Sequence, residues 1–149
     1  RDGVERVYTM NADGTGVEAI SPEGSTASNA VWSANSRYVA FQALVGGDQE
    51  IFVYDTETGE TRQITDNDVD DQAPTWRCDS TEVVFMSNAE GDNDLYQVTA
   101  LPMDGDPVSV PAGALRLTND PAEDQYPVSQ PGDEAGSRQG RLPIGARNR

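Results

Sequence analysis

The chain of 149 residues carries 26 acidic residues against 10 Arg, has no Lys and no His, and bears a formal net charge of −16. This charge argues against a nucleic-acid or anionic-membrane partner, because phosphates would be repelled, and favours a protein partner with basic character. The lack of His removes the commonest general base, the single Cys78 excludes an intrachain disulfide, and no apolar run is long enough for membrane insertion.

The sequence repeats itself at an interval of 44 residues. The matching positions are Tyr8 with Phe52 and Tyr96, Trp32 with Trp76, and Phe41 with Phe85. Such a spacing with short alternating apolar runs is typical of propeller blades, whereas helical repeats would show a period of about 3.6 residues. The repeat therefore predicts an all-β fold made of propeller blades, each of four antiparallel strands.

The first predicted unit, residues 1–21, is a partial blade. It holds only "RVYTMN" and "VEAIS", the third and fourth strands, joined by a turn at Asp13–Gly14. The glycines of "DGTG" belong to this turn, since no Lys or helix signal follows them as a phosphate-binding loop would require.

Two complete blades follow, at 22–65 and 66–118. Their strands are predicted at 30–33, 37–43, 50–55 and 62–65, and at 74–77, 81–87, 94–99 and 115–118. Ile64 and its partner Leu117 lie 53 rather than 44 residues apart, which indicates an insertion near 99–114. Alternation along the third strand places Ile51 and Val53 on one face and Phe52 and Tyr54 on the other.

The last predicted units are the start of another blade and a tail. Residues 119–130 contain "EDQYPVSQP", which repeats strand one. Residues 131–149 are rich in Gly and Pro and carry four Arg and two acidic residues, so we expect a disordered tail, or alternatively an Arg-containing arm that docks on an acidic surface. The chain thus holds about three blades' worth of strands, two blades complete and two partial.

Residues 6–128 resemble the TolB-like propeller repeats, which are WD-like in length. The resemblance rests on "RVYTMNADGTGVEAIS", "AVWSANSRYVAFQA" and "APTWRCDSTEVVFMSNAEGDNDLYQV". The departures are Ala34 and Cys78 in place of the repeat's Pro, Ser36 and Ser80 in place of its turn Gly, and Ser129 in place of a third Trp.

The resemblance implies a six-bladed ring in a periplasmic or extracellular setting that docks proteins at one rim. We expect a non-catalytic protein-interaction or scaffolding module. Similar repeats also form the gating propellers of prolyl-oligopeptidase-like and tricorn-like peptidases, and an extracytoplasmic sensory domain is a third alternative. With broken blades at both ends, we expect a homo-oligomer or a larger assembly to complete the propeller, or alternatively the chain to be a fragment of a longer protein.

The candidate docking residues lie in the loop before strand one. They are Asp71 and Gln72 in "DDQAP", and Asp124, Gln125 and Tyr126 in its echo "EDQYP". This loop links the outer strand of one blade to the inner strand of the next. The alternative role for the same residues is to hold adjacent blades together.

A calcium site is the single metal hypothesis that the sequence raises. Asp66, Asp68 and Asp70 alternate in "DNDVDD", and carboxylate oxygens suit Ca²⁺. The loop is not an EF-hand, because Asp71 stands where that loop needs Gly and Arg77 where it needs Glu. The alternative is a solvated loop whose Asp side chains accept hydrogen bonds from nearby backbone N–H groups. No other cofactor is expected.

Three further residues carry structural predictions. Trp32 and Trp76 occupy the same place in successive blades, which favours packing between blades over a stacking platform for a ligand. Cys78 is predicted to be a half-buried residue at a strand end, or alternatively a reactive or intermolecular thiol. Catalysis has no support, because there is no G-x-S-x-G motif and no His for a triad.

Overall fold

A computed structural model of the chain describes residues 4–101, 103, 106–110, 112–119 and 127. The predicted tail at 131–149, and nearly all of the predicted partial blade at 119–130, therefore lie outside the described residues. The described part of the chain consists of strands, turns and loops, without helix. It accordingly offers no helix long and apolar enough to cross a membrane.

Three antiparallel sheets follow one another along the chain. The first pairs β1 (Tyr8–Thr9) with β2 (Glu18–Ala19). The second contains, in spatial order, β3 (Ala27–Trp32), β4 (Tyr38–Val45), β5 (Asp48–Asp55) and β6 (Glu60–Gln63). The third contains β7 (Asp71–Trp76), β8 (Glu82–Ser87), β9 (Asp94–Thr99) and β10 (Leu115–Arg116), also in chain order. The predicted all-β fold class is confirmed.

The strand register repeats with the sequence. The third strand pairs with the fourth at equivalent positions in all three sheets, namely Tyr8 with Ala19, Phe52 with Gln63, and Tyr96 with Arg116. The sheet β1–β2 therefore corresponds to the outer half of a blade, and the two four-stranded sheets are whole blades.

Strand one of each blade begins three residues before its predicted start. In both blades the register shifts within this strand, between Ser28 and Val31 and between Gln72 and Thr75. The irregularity contains Asn29 with φ 53° in the first blade and its repeat partner Ala73 with φ 50° in the second. An extra residue of this kind breaks the period-two alternation, which is why the sequence pattern identified only the second half of the strand.

Two apolar clusters pack the sheets against each other. The cluster between the first sheet and the first blade contains Val7, Ile20, Ala27, Val39, Phe41, Ala43, Phe52 and Tyr54. The cluster between the two blades contains Ala40, Ile51, Val53, Ile64, Trp76, Val83, Phe85, Tyr96, Val98, Ala100 and Val110. Because alternate residues of β4 and β5 enter different clusters, the first blade is buried on both faces, and the predicted facing of Ile51, Val53, Phe52 and Tyr54 is observed.

The predicted insertion packs onto the preceding blade. The Val108 N–H donates to the Ile64 carbonyl at 2.8 Å, and the Asp66 N–H donates to the Val108 carbonyl at 2.9 Å. Val110 is buried in the cluster between the blades. The insertion thus extends the outer edge of the first blade as well as connecting β9 to β10.

Two predictions about single residues need correction. Trp76 is 2% exposed, as predicted, but its partner Trp32 is 52% exposed. Trp76 lies against the two inner strands of the first blade. Among the described residues, the sheet that precedes Trp32 contains only the two outer strands β1 and β2, so Trp32 lacks the equivalent contacts. Cys78 is exposed rather than half-buried, because it lies in the turn after β7 and beyond the strand end.

Candidate functional site

The interblade loop, residues 66–70, connects the outer strand of the first blade to β7 of the second. Its start is fixed by Glu50 at the beginning of the predicted third strand. Thr65 Oγ1 donates to one Glu50 carboxylate oxygen at 2.6 Å, and the Asn67 N–H donates to the other at 2.8 Å. Thr65 Oγ1 also accepts the Ile51 N–H at 2.9 Å, so the loop is tied to β5 from both directions.

Glu50 is 1% exposed, and its carboxyl is electrostatically unusual. Burial raises its pKa to about 7, against 4.5 for an ordinary Glu, and the negative charges of Asp71 and Asp66 act in the same direction. The hydrogen bonds from Thr65 and Asn67 oppose the shift because they favour the ionised form. Glu50 therefore gains or loses its proton near neutral pH.

Asp71, the first of the predicted docking residues, is fully buried. Its carboxylate accepts a hydrogen bond from Asn67 Nδ2 at 2.9 Å, and burial raises its pKa. Gln72 is half-buried, and Asp124, Gln125 and Tyr126 lie outside the described residues. Asp71 therefore presents no surface to a partner, and docking at the other candidate residues stays a prediction.

Sequence reasoning missed a buried polar row across the second blade. The strand register places Asp71 beside Ser87 and Ser87 beside Asp94, and all three are fully buried. Asp94 forms an ion pair with Arg116 and accepts a hydrogen bond from Thr118 Oγ1 at 3.2 Å. The repeat contained a signal for part of this row, because Glu50 and Asp94 are 44 residues apart, but acidic side chains are rarely fully buried and their spacing alone does not indicate burial.

The three carboxylates predicted as calcium ligands, those of Asp66, Asp68 and Asp70, have different surroundings. One carboxylate oxygen of Asp70 accepts a hydrogen bond from the Gln49 backbone N–H at 2.9 Å. This is the kind of bond expected for a solvated loop without a metal ion. Asp66 and Asp68 line an open concavity together with Ser109 and Val110. Within the described residues, no three acidic, His or Cys side chains come together in an arrangement that could hold a metal ion. Calcium binding at Asp66, Asp68 and Asp70 stays a prediction.

Two exposed features stand out against their repeat partners, namely the exposed side of Trp32 and the edge of β1 that faces away from β2, and together they are called the open corner. Trp76, the repeat partner of Trp32, shows how protein covers this position. Its ring centroid lies 5.9 Å from that of Tyr38, and its Nε1 donates to the Val31 carbonyl at 3.2 Å. The contacts that bury Trp76 thus come from the two inner strands of the preceding blade.

Tyr8 on β1 shows the same contrast. It is 55% exposed, whereas its repeat partners Phe52 and Tyr96 are 5% and 0% exposed. Phe52 stacks on Phe41 of the adjacent strand with ring centroids 5.7 Å apart, and Tyr96 stacks in the same way on Phe85 at 6.3 Å. The open corner therefore displays two aromatic residues whose equivalents are buried against protein.

Comparison with solved structures identifies the architecture. The chain matches the structure of a putative TolB from Agrobacterium tumefaciens with a TM-score of 0.70 and 17% identity, over 88% of this chain and 44% of that one. It matches TolB from Acinetobacter baumannii with a TM-score of 0.60 and 19% identity, over 80% of this chain and 28% of that one. It also matches the tricorn protease with a TM-score of 0.57 and 18% identity, over 83% of this chain and 14% of that one.

Sequence-level comparisons add no further relative. No protein-family model matches the chain, and no curated protein matches it. The chain spans less than half the length of each of these solved structures.

Proposed function

The chain folds as part of a TolB-like propeller, and we propose that it is a non-catalytic protein-interaction or scaffolding segment of such a propeller. The observation that carries the proposal is the exposure of Trp32 at 52%, where the repeat partner Trp76 is 2% exposed because protein covers it. The exposed rings of Trp32 and Tyr8, whose repeat partners are buried against protein, support a protein contact surface on this side of the chain. The absence of His from the sequence agrees with a binding role.

The setting and partner follow from the same reasoning. The fold likeness to TolB supports a periplasmic or extracellular location. The net charge of −16 favours partners with basic surfaces and disfavours nucleic acid. Because the open corner combines an apolar ring with a strand edge, its partner is a protein segment able to pair with a strand.

A second candidate function is that of an accessory propeller segment in a larger tricorn-like or prolyl-oligopeptidase-like peptidase. The match to the tricorn protease favours it. In that case the hydrolase residues lie in another part of a longer protein. A longer reading frame that contains a G-x-S-x-G motif followed by Asp and His would support the peptidase alternative over the scaffold.

Light scattering over a range of concentrations, together with binding of a hydrophobic dye, tests the interaction function. We expect the chain to associate above its monomer mass of 16.0 kDa and to bind the dye. Trp32→Ser and Tyr8→Ser should weaken both properties. Leu115→Ser is the matched control, because Leu115 is 61% exposed but lies on β10, the outer strand of the other blade.

A chain that stays monomeric at every concentration and binds no dye would contradict the interaction function. So would equal effects of Trp32→Ser and Leu115→Ser, because association would then depend on general surface apolarity and not on the open corner.

A further inference from the structure

Three polar side chains of the second blade lie on the face that is turned toward the first blade. The strand register places Asp71 beside Ser87 and Ser87 beside Asp94, and Tyr96 follows two residues later on the same strand as Asp94. Because side chains alternate along a strand, Asp71, Ser87 and Tyr96 share one face of the sheet. Tyr96 belongs to the apolar cluster between the blades, which identifies this face as the inner side of that interface.

Each of these three side chains carries a buried polar atom without a protein partner. Asp71, Ser87 and Tyr96 are fully buried. Among the described residues, neither Asp71 Oδ1, Ser87 Oγ nor the Tyr96 hydroxyl oxygen makes a hydrogen bond. Burial removes such atoms from bulk water, so native proteins satisfy nearly all of them with protein groups, enclosed water or ions.

The three polar atoms border one small site. Burial raises the pKa of Asp71, and the hydroxyl of Ser87 opposes this shift, which places that hydroxyl close to the carboxylate although the two lack the geometry of a direct hydrogen bond. Burial also raises the pKa of Tyr96, and the charges of Asp94 and Asp71 act in the same direction. The phenol therefore stays protonated and lies within the field of the same carboxylate.

The internal repeat shows that the site is particular to the second blade. The residues 44 positions earlier are Ala27, Ala43 and Phe52. All three are buried in the apolar cluster between the first sheet and the first blade. The equivalent place in one blade is thus wholly apolar, whereas in the other it carries a carboxylate and two hydroxyls. Three polar groups at adjoining positions point to a common ligand.

We infer that the second blade binds one water molecule here, held by Asp71 Oδ1, Ser87 Oγ and the Tyr96 hydroxyl. The ligand must donate a hydrogen bond to the carboxylate oxygen and accept one from each hydroxyl. A water molecule does both, and about three hydrogen bonds is the usual number for a buried water. An alkali cation takes only lone pairs and leaves both hydroxyl protons buried without an acceptor, and a chloride ion is repelled by the carboxylate.

The bound water joins three strands to the interblade loop. Its partners lie on β7, β8 and β9. The other carboxylate oxygen of Asp71 accepts a hydrogen bond from Asn67 Nδ2 of the loop at 2.9 Å. The water is therefore part of the contact between the blades, and the inference is independent of the open corner and of the proposed interaction function.

A crystal structure of the chain grown from rubidium chloride tests the inference directly. Rubidium at an alkali-cation site gives an anomalous signal, whereas water gives none. We expect one density peak without anomalous signal at about 2.5 to 3.0 Å from Asp71 Oδ1, Ser87 Oγ and the Tyr96 hydroxyl oxygen. An anomalous peak would make the ligand a cation, and a direct bond between Asp71 and Ser87 with no density beside it would remove the ligand. Either result overturns the inference.

Substitutions test the site in solution. The chain with Asp71→Ala, Ser87→Ala and Tyr96→Phe carries the residues of the first blade at this place and offers the water no partner. Each single substitution leaves the remaining polar groups short of a hydrogen bond, so the triple variant should lower the urea midpoint by less than the sum of the three single variants. Oxygen-17 relaxation dispersion, which detects bound water and not hydroxyl protons, should show one long-lived water fewer in the triple variant.

Phe52→Tyr is the matched control in the first blade. It adds the same hydroxyl where the neighbouring positions, Ala27 and Ala43, offer no hydrogen-bond partner, so it should lower the urea midpoint without adding a long-lived water. Strictly additive effects of the three single substitutions in the second blade, or an unchanged number of long-lived waters in the triple variant, would also overturn the inference.

Discussion

At the scale of single residues, Glu50 couples the fold to pH. Its folded-state pKa of about 7 lies above the ordinary value of 4.5, so the folded state holds the proton more tightly than the unfolded state does. The contribution of Glu50 protonation to the free energy of unfolding is fully present below about pH 4.5 and is lost as the pH rises through about 7. Burial raises the pKa of Asp71 as well, which adds a contribution of the same sign.

We therefore predict that the urea midpoint of unfolding is higher at pH 5 than at pH 8. The difference between the folded-state and the ordinary pKa of Glu50 corresponds to at most about 3.4 kcal/mol of unfolding free energy. Glu50→Gln should remove most of the difference, while Glu60→Gln, at an exposed position in the same blade, should leave it intact. A midpoint that rises with pH across this window would show that the loop hydrogen bonds outweigh burial.

The turns between strands one and two hold two serines in the left-handed region. Ser36 has φ 59° and Ser80 has φ 58°, at positions where the TolB-like repeat carries Gly. An L-residue there costs roughly 1 kcal/mol, and Gly relieves this cost while losing more entropy on folding. We predict that Ser36→Gly stabilises the chain by about 0.5 kcal/mol.

Ser80→Gly should stabilise less or destabilise, because it also removes the oxygen that accepts the Asn35 N–H. Thermal unfolding of the two variants side by side provides the measurement. Equal effects would mean that this hydrogen bond between blades contributes nothing measurable.

At the scale of strands and blades, the two tryptophans form a natural matched pair. Trp76→Ala should destabilise by roughly 3 to 5 kcal/mol, since it leaves a cavity between the blades. Trp32→Ala removes a ring that is 52% exposed and should cost less than about 1 kcal/mol. Chemical denaturation of both variants measures the difference, and comparable losses would mean that Trp32 is also covered in solution.

The third strands were predictable from sequence, and β9 was predicted with its observed bounds, because its period-two alternation of more and less buried residues runs without interruption from Asp94 to Thr99. The first halves of β3 and β7 were not predictable, because the extra residue in each breaks that pattern. The exposure of Trp32 was missed because the burial of a side chain depends on its neighbours in space. Glu50 and Asp94 were missed because charge normally indicates surface, and only their hydrogen-bond partners make burial tolerable.

At the scale of the whole molecule, a net charge of −16 is spread over a structure held by two apolar clusters between sheets. Like-charge repulsion of this kind destabilises the compact state and is relieved by salt. The carboxylates of the interblade loop add to this field, and Asp70 is engaged by the Gln49 N–H. Cations are therefore expected to act on the chain mainly through screening.

We predict that CaCl₂ and NaCl, compared at equal ionic strength, raise the melting temperature by similar amounts. A specific site at Asp66, Asp68 and Asp70 would instead give a saturable increase at sub-millimolar Ca²⁺ that NaCl does not reproduce. Asp68→Asn serves as the reporter variant, because Asp68 is exposed beside the concavity at the loop. Loss of a calcium effect in that variant would establish the metal site.

One copy of the repeated blade corner is occupied by protein, at Trp76, and the other is open, at Trp32. Acrylamide quenching of the two single-tryptophan chains, Trp76→Phe and Trp32→Phe, tests this difference most directly in dilute solution. We expect strong quenching and long-wavelength emission from Trp32, with weak quenching and short-wavelength emission from Trp76. Equal protection of the two tryptophans in a monomer would contradict it.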